Sequence, residues 1–156
     1  MKILTVYYSR SGTTKKLAEE LAEKLNSDLE EIIDQKNRNG PIRYMIAAFN
    51  ALSEKTTKIQ ASTKNPADYD LVLIGLPIWA SNMPPAIRTY IKENNDKLNK
   101  IALFATLGGS GQEETFKKIT ELTNKKPIST LYLTGKDLPD EKICQEKIQE
   151  FINKIN

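Results

Sequence analysis

Four hydroxyl side chains and one glycine fall within six consecutive positions: Ser9, Ser11, Gly12, Thr13 and Thr14, with Arg10 among them. Hydroxyls donate to oxyanions, glycine permits a tight turn, and arginine adds positive charge. That set suits a phosphate. Neither G-x-x-x-x-G-K-S/T nor G-x-G-x-x-G occurs here, so this is not a nucleoside-triphosphate loop or a dinucleotide fingerprint. A monophosphate cradle of hydroxyls and backbone remains. Ser11 or Thr13 could instead simply cap a helix, but one residue would be enough for that.

Two further stretches have unusual composition. Residues 75–83 carry the chain's one tryptophan, Trp79, after Pro77 and Ile78 and before Ala80, Ser81 and Asn82. A lone tryptophan is more often core than ligand contact. This one is expected in a loop past a strand end, with no evident helix or strand face to bury it, which favours stacking on a ligand. Residues 106–111 run Thr106, Leu107, Gly108, Gly109, Ser110, Gly111. Glycines there let backbone approach a flat ligand closely, although a flexible connection would look the same. A phosphate at one end and an aromatic face at the other imply a planar heterocycle on a phosphorylated tail.

The elements that must position these stretches are legible from periodicity. Ile3, Leu4, Val6 and Tyr7 read as a strand, and Leu17, Ala18, Leu21, Ala22 and Leu25 as one face of a helix over 15–25. A helix start aims free N–H groups and the positive end of its dipole at the hydroxyl loop. Further strands are expected over 29–33, 71–74, 101–105 and 127–134, with Glu30 and Glu31 placing the second near a sheet edge. Residues 34–40 and 53–68 read as polar connections, the latter anchored by Ile59. Helices follow from Pro41 (Met45, Ala48, Phe49 and Leu52 inward), Pro84-Pro85 (Ile87, Tyr90, Ile91) and Gly111 (Phe116, Ile119, Leu122). The last spans 140–155, with Cys144, Ile148, Phe151, Ile152 and Ile155 on one stripe. Five strand–helix alternations predict an α/β, three-layer, doubly wound fold with a five-stranded parallel sheet. The three unusual loops follow the first, third and fourth strands, so they open at one end of that sheet, where such folds bind ligands.

Composition narrows the chemistry. The 156 residues suit a single domain over 1–156, and the absence of histidine removes His-based triads and most zinc sites. The single Cys144 is expected to fill space rather than react, in a reducing, cytoplasmic setting. A net charge of +3 with mixed signs gives no footprint for nucleic acid. No signal peptide and no membrane-spanning run is apparent.

Taken together, Tyr8 to Lys15, Gly75 to Ala80 and Leu107 to Gly111 resemble the three FMN-binding loops of the flavodoxin family, in order and spacing along the whole chain. The uninterrupted fifth strand resembles its short-chain form. The resemblance implies a sheet of order 2-1-3-4-5 and FMN as cofactor. The phosphate would rest on residues 9–14, and the ring between the 77–82 and 107–111 loops with Trp79 against one face. It also implies redox chemistry done by the flavin, with no catalytic side chain.

Against the family's one-electron shuttles, this chain is slightly basic rather than acidic. Among Ala80, Ser81 and Asn82 only Asn82 readily takes the positive φ that flavodoxins often give to glycine. The Gly-rich loop lacks a tyrosine to cover the outer ring face, leaving it open to nicotinamide or quinone. The preferred expectation is an electron carrier between redox partner proteins. The alternative is a two-electron FMN reductase, with NAD(P)H as donor and a quinone or similar small acceptor. A receiver domain would need an acidic pair after the first strand and an aspartate ending the third, where Tyr8-Ser9 and Gly75-Leu76 stand. A binding module without flavin is the remaining alternative. Arg10 either offsets phosphate charge or lies in solvent, and Gly12→Val is expected nearly to abolish FMN binding by crowding the turn.

Overall fold

The computed structural model describes residues 1–36, 40–52 and 54–156. In chain order the elements are β1 (Ile3–Tyr7), α1 (Thr13–Leu25), β2 (Asp28–Glu31), α2 (Pro41–Leu52), β3 (Leu71–Pro77), α3 (Pro85–Asn94), β4 (Lys100–Leu107), α4 (Gln112–Thr123), β5 (Thr130–Thr134) and α5 (Glu141–Asn153). Short 3-10 turns at Pro66–Asp68 and Asn95–Lys97 precede β3 and β4. All strand pairs are parallel and the sheet order is β2-β1-β3-β4-β5, as the family resemblance implied.

Residues alternate between two apolar layers because side chains alternate along a strand. Leu4 and Val6 of β1, Val72, Ile74 and Leu76 of β3, and Ile101, Leu103 and Ala105 of β4 join α3 and α4 through Ile87, Tyr90, Ile91, Phe116 and Ile119. On the other face Ile3, Tyr7, Leu71, Leu73, Phe104, Leu131 and Leu133 meet α1 and α5 through Leu17, Leu21, Ile148, Phe151 and Ile152. The central strands are covered on both sides, which is why they read as unbroken apolar runs. Edge strand β2 carries Glu30 and Glu31 as expected. Glu30 is nonetheless buried, its Oε1 accepting from the Thr63 backbone and hydroxyl and from Lys64 N–H, which ties the 61–65 segment to the edge.

Several boundaries differ from the sequence expectation. β3 runs on through Gly75 and Leu76 to Pro77, and β4 through Thr106 and Leu107, so these residues are strand ends rather than loop. Gly75 is what allows this: Phe104 stands directly across the sheet, and a Cβ at Gly75 would lie 2.0 Å from its ring. β2 and β5 are shorter than expected, and α1 starts two residues earlier, at Thr13. Ile59 is the partly buried anchor of its segment, as read. Along α2, Met45 and Phe49 are exposed rather than inward, with Ile42 and Ile46 beside them. The side chains of Ala48 and Leu52, and residues 37–39 and Ser53, lie outside the described residues.

Candidate functional site

The order reverses between β1 and β3, and a cleft of about 190 Å³ opens there at the carboxyl ends of the strands. Arg10 and Ser11 line it from the β1–α1 connection, Thr13 and Thr14 from the first turn of α1, Pro77, Ile78 and Trp79 from the end of β3, and Thr106, Leu107 and Gly108 from the end of β4. Leu138 closes it from the turn after β5. The convergence expected of the three loops is therefore observed.

At the polar end, Gly12 is the residue before α1 and has φ +96°. Its N–H is accepted by the Ser9 hydroxyl at 3.1 Å, which holds the turn, and its carbonyl accepts from Lys16 N–H at 3.1 Å, which starts the helix. No side chain caps α1 and its first turn has no acidic residue. Its leading N–H groups and dipole therefore face the cleft without a built-in anion. By contrast Asp140 caps α5 through Ile143 N–H. The hydroxyls of Thr14 and Thr106, 2.7 Å apart, share one hydrogen bond, which leaves the pair one proton for a ligand. A Cβ built on Gly12 meets nothing within 4 Å. Crowding is thus not what excludes valine there; the left-handed backbone is.

At the apolar end Trp79 is only 4% exposed and packs edge-on against Tyr8, centroids 5.7 Å apart and planes at 84°. The expectation that no face would bury it is overturned: it belongs to the α3–α4 side core while still contributing to the cleft wall. The cause is the reversal that follows. Trp79 N–H donates to Asn82 O at 3.0 Å and Asn82 N–H returns the bond at 2.9 Å, with Ala80 at φ 49° and Ser81 at φ 55° between them. The left-handed residues are thus Ala80 and Ser81, not Asn82 as expected from residue type. Each costs about 1–2 kcal/mol as a non-glycine residue. Asn82 is instead fully buried, its Oδ1 accepting from Met83 N–H at 2.9 Å and from Arg88 Nη2 at 3.0 Å.

The reversal also abuts the Gly-rich loop. A Cβ at Gly111, φ +105°, would fall 2.7 Å from the Ser81 hydroxyl and 2.9 Å from its Cα. Gly109, Ser110 and Gly111 stand beside the cleft rather than in its lining, as do Ser9, Gly12, Ala80, Ser81 and Asn82. Two lining residues were not among the sequence candidates. Thr106 lay within a recognised stretch but carried no signal of its own. Leu138 could have been suspected as a leucine in a polar turn after the fifth strand. Its turn is held by Asp137, which accepts from Thr134 N–H and hydroxyl and from Lys147 Nζ at 2.8 Å. The Lys147 hydrogen bond, with those from Thr134, brings the Asp137 carboxyl down to about 2. Gly135 N–H donates to Gly108 O, joining this turn to the Gly-rich loop.

Fold and cleft together define a doubly wound α/β protein with its site at the strand-order reversal. The sequence profile of the flavodoxin family matches residues 2–155, and the chain belongs to that family of FMN-binding flavoproteins. Among solved structures it is similar to a protein from Bacteroides eggerthii assigned as a flavoprotein, with 25% identity, TM-score 0.75, and 97% of this chain and 98% of that one covered. It also resembles a flavoprotein from Lactobacillus acidophilus solved in complex with FMN, with 24% identity, TM-score 0.72, and 92% and 98% covered. A flavodoxin from the domain Archaea shares the fold at 18% identity and TM-score 0.59, with 98% and 95% covered.

Proposed function

We propose that residues 1–156 form one domain that holds FMN in this cleft and carries electrons between redox partners. The observation that carries the reading is one cleft with two chemistries. The uncapped start of α1, with Ser11, Thr13 and the Thr14–Thr106 pair, lies at one end, and Ile78, Trp79 and Leu107 form an apolar wall at the other. This donor set fits a phosphate dianion, and the wall fits a flat ring. When bound, FMN supplies reversible uptake of one or two electrons. The residues of the chain do the rest. First-turn N–H groups and hydroxyls seat the phosphate, and Arg10 at the rim offsets part of its charge. Pro77, Ile78 and Leu107 would exclude water from the apolar end of the cleft. A cytoplasmic, reducing setting suits a chain whose one cysteine is a free thiol. Among the described residues no helix is long and apolar enough to cross a membrane.

FMN titrated into the stripped protein should quench flavin fluorescence stoichiometrically; no quenching refutes the reading. Stepwise reduction of the loaded protein then tests the carrier role, which predicts a half-reduced stage. One observation favours the two-electron reading: Gly108, Gly109 and Ser110 are exposed and offer no bulky side chain to shield a ring. Direct two-electron reduction, with steady NAD(P)H oxidation in the presence of a quinone, would establish that function instead.

A further inference from the structure

We propose that Arg88 is a positioning residue for the flavin site, acting through Asn82 on the reversal at 79–82; this rests on the FMN reading above. Arg88 lies in the first turns of α3 and is 6% exposed. A guanidinium is expensive to bury, and this one has its Nε buried and unpartnered. Its Nη2 is spent on a neutral amide, the Oδ1 of Asn82. α3 packs against the sheet through Ile87, Tyr90 and Ile91, and the charge that acts on the guanidinium from outside this layer is that of Glu54.

The turn explains the arrangement. Ala80 and Ser81 both occupy left-handed backbone that glycine and asparagine favour, so the two Trp79–Asn82 backbone hydrogen bonds close the reversal against strain. It is gripped from two sides. Ser81 sits against Gly111, where any side chain would collide, and Asn82 is fastened by Arg88 and by Met83 N–H. Held in this way, the reversal turns Trp79 inward onto Tyr8 and leaves Ile78 and Trp79 in the cleft wall. Removing the Arg88 bond releases the reversal toward right-handed backbone, swings Trp79 off Tyr8 and spoils the wall.

The single tryptophan reports this directly, with or without flavin. In Arg88→Met the apoprotein's emission should shift to longer wavelength, and FMN affinity should fall about tenfold to a hundredfold. Arg88→Lys keeps one donor and should stay within about threefold of the parent. Adding Ser81→Gly to Arg88→Met should restore most of the affinity and emission, because glycine removes the need for the grip. Parent-like affinity and emission in Arg88→Met, or a double variant no better than the single one, overturns the proposal. If Arg88→Met does not fold, Asn82→Ala breaks the same bond from the other end and is read by the same criteria. Misfolding of both that Ser81→Gly leaves uncorrected also overturns it, since that would make Arg88 a general stability residue. Should the parent bind no FMN, the functional reading fails, while the emission arm still decides the role of Arg88.

Discussion

Replacing Gly75 with alanine places a methyl group inside the ring of Phe104. A Cβ at Gly75 would stand 2.0, 2.2 and 2.8 Å from three ring carbons. Ordinary carbon contacts are about 3.5–4.0 Å, so the ring must withdraw by roughly 1.5 Å. Phe104 is fully buried in the layer under α1 and α5, so a displaced ring presses on packed side chains. The loss belongs at the upper end of overpacking penalties, about 3 kcal/mol. For a domain of this size that lowers Tm by about 6–12 °C. Urea and thermal unfolding of the parent, Gly75→Ala, Phe104→Leu and the double variant measure it. Leucine removes the ring, so alanine at 75 should be tolerated there, giving a coupling of about 2 kcal/mol. A Gly75→Ala protein within about 0.5 kcal/mol of the parent, or an equal loss in the Phe104→Leu background, would refute the packing argument. FMN affinity should fall as well, because Gly75 O accepts from Tyr8 N–H and the cleft wall begins two residues later.

Gly12→Ala should weaken FMN about tenfold and Gly12→Val more, while Gly12→Asn, which tolerates left-handed backbone, should lose little; fluorescence titration distinguishes this from crowding, which would penalise asparagine too. Thr14→Val leaves the Thr106 hydroxyl unpaired in a buried site and should cost about 1–3 kcal/mol in urea unfolding, with Thr14→Ser close to the parent. Asp137, brought down to about 2 from an ordinary 3.8, is a depressed carboxylate, so its contribution is complete above pH 3.8 and is lost as pH falls toward 2. Because the pair is partly exposed, the loss is about 1 kcal/mol. It should disappear in Asp137→Asn when urea midpoints are followed into acid.

Much of this architecture is legible in the sequence itself. Leu71 to Ile74 and Ile101 to Ala105 announced strands covered on both faces, and Leu17, Leu21, Ile87, Ile91 and Ile148 announced the helix faces that cover them. These are local patterns with a fixed period, and the alternation of elements then leaves few topologies. The meeting of Ser11, Trp79 and Gly108 in one cleft followed from that topology alone. What escaped were matters settled by distant partners. Strand β3 runs on to Pro77 because Phe104 fills the space at Gly75. Trp79 is buried because a reversal turns it onto Tyr8. Ala80 and Ser81 take left-handed backbone in a reversal closed by the Trp79–Asn82 hydrogen bonds, with Ser81 against Gly111 and Asn82 fastened by Arg88. Periodicity and composition thus determined the layers, the order of the elements and the end at which the site opens. Tertiary structure alone decided how the wall of that site is held, since steric exclusion and buried hydrogen bonds between residues far apart in the chain leave no trace in local pattern.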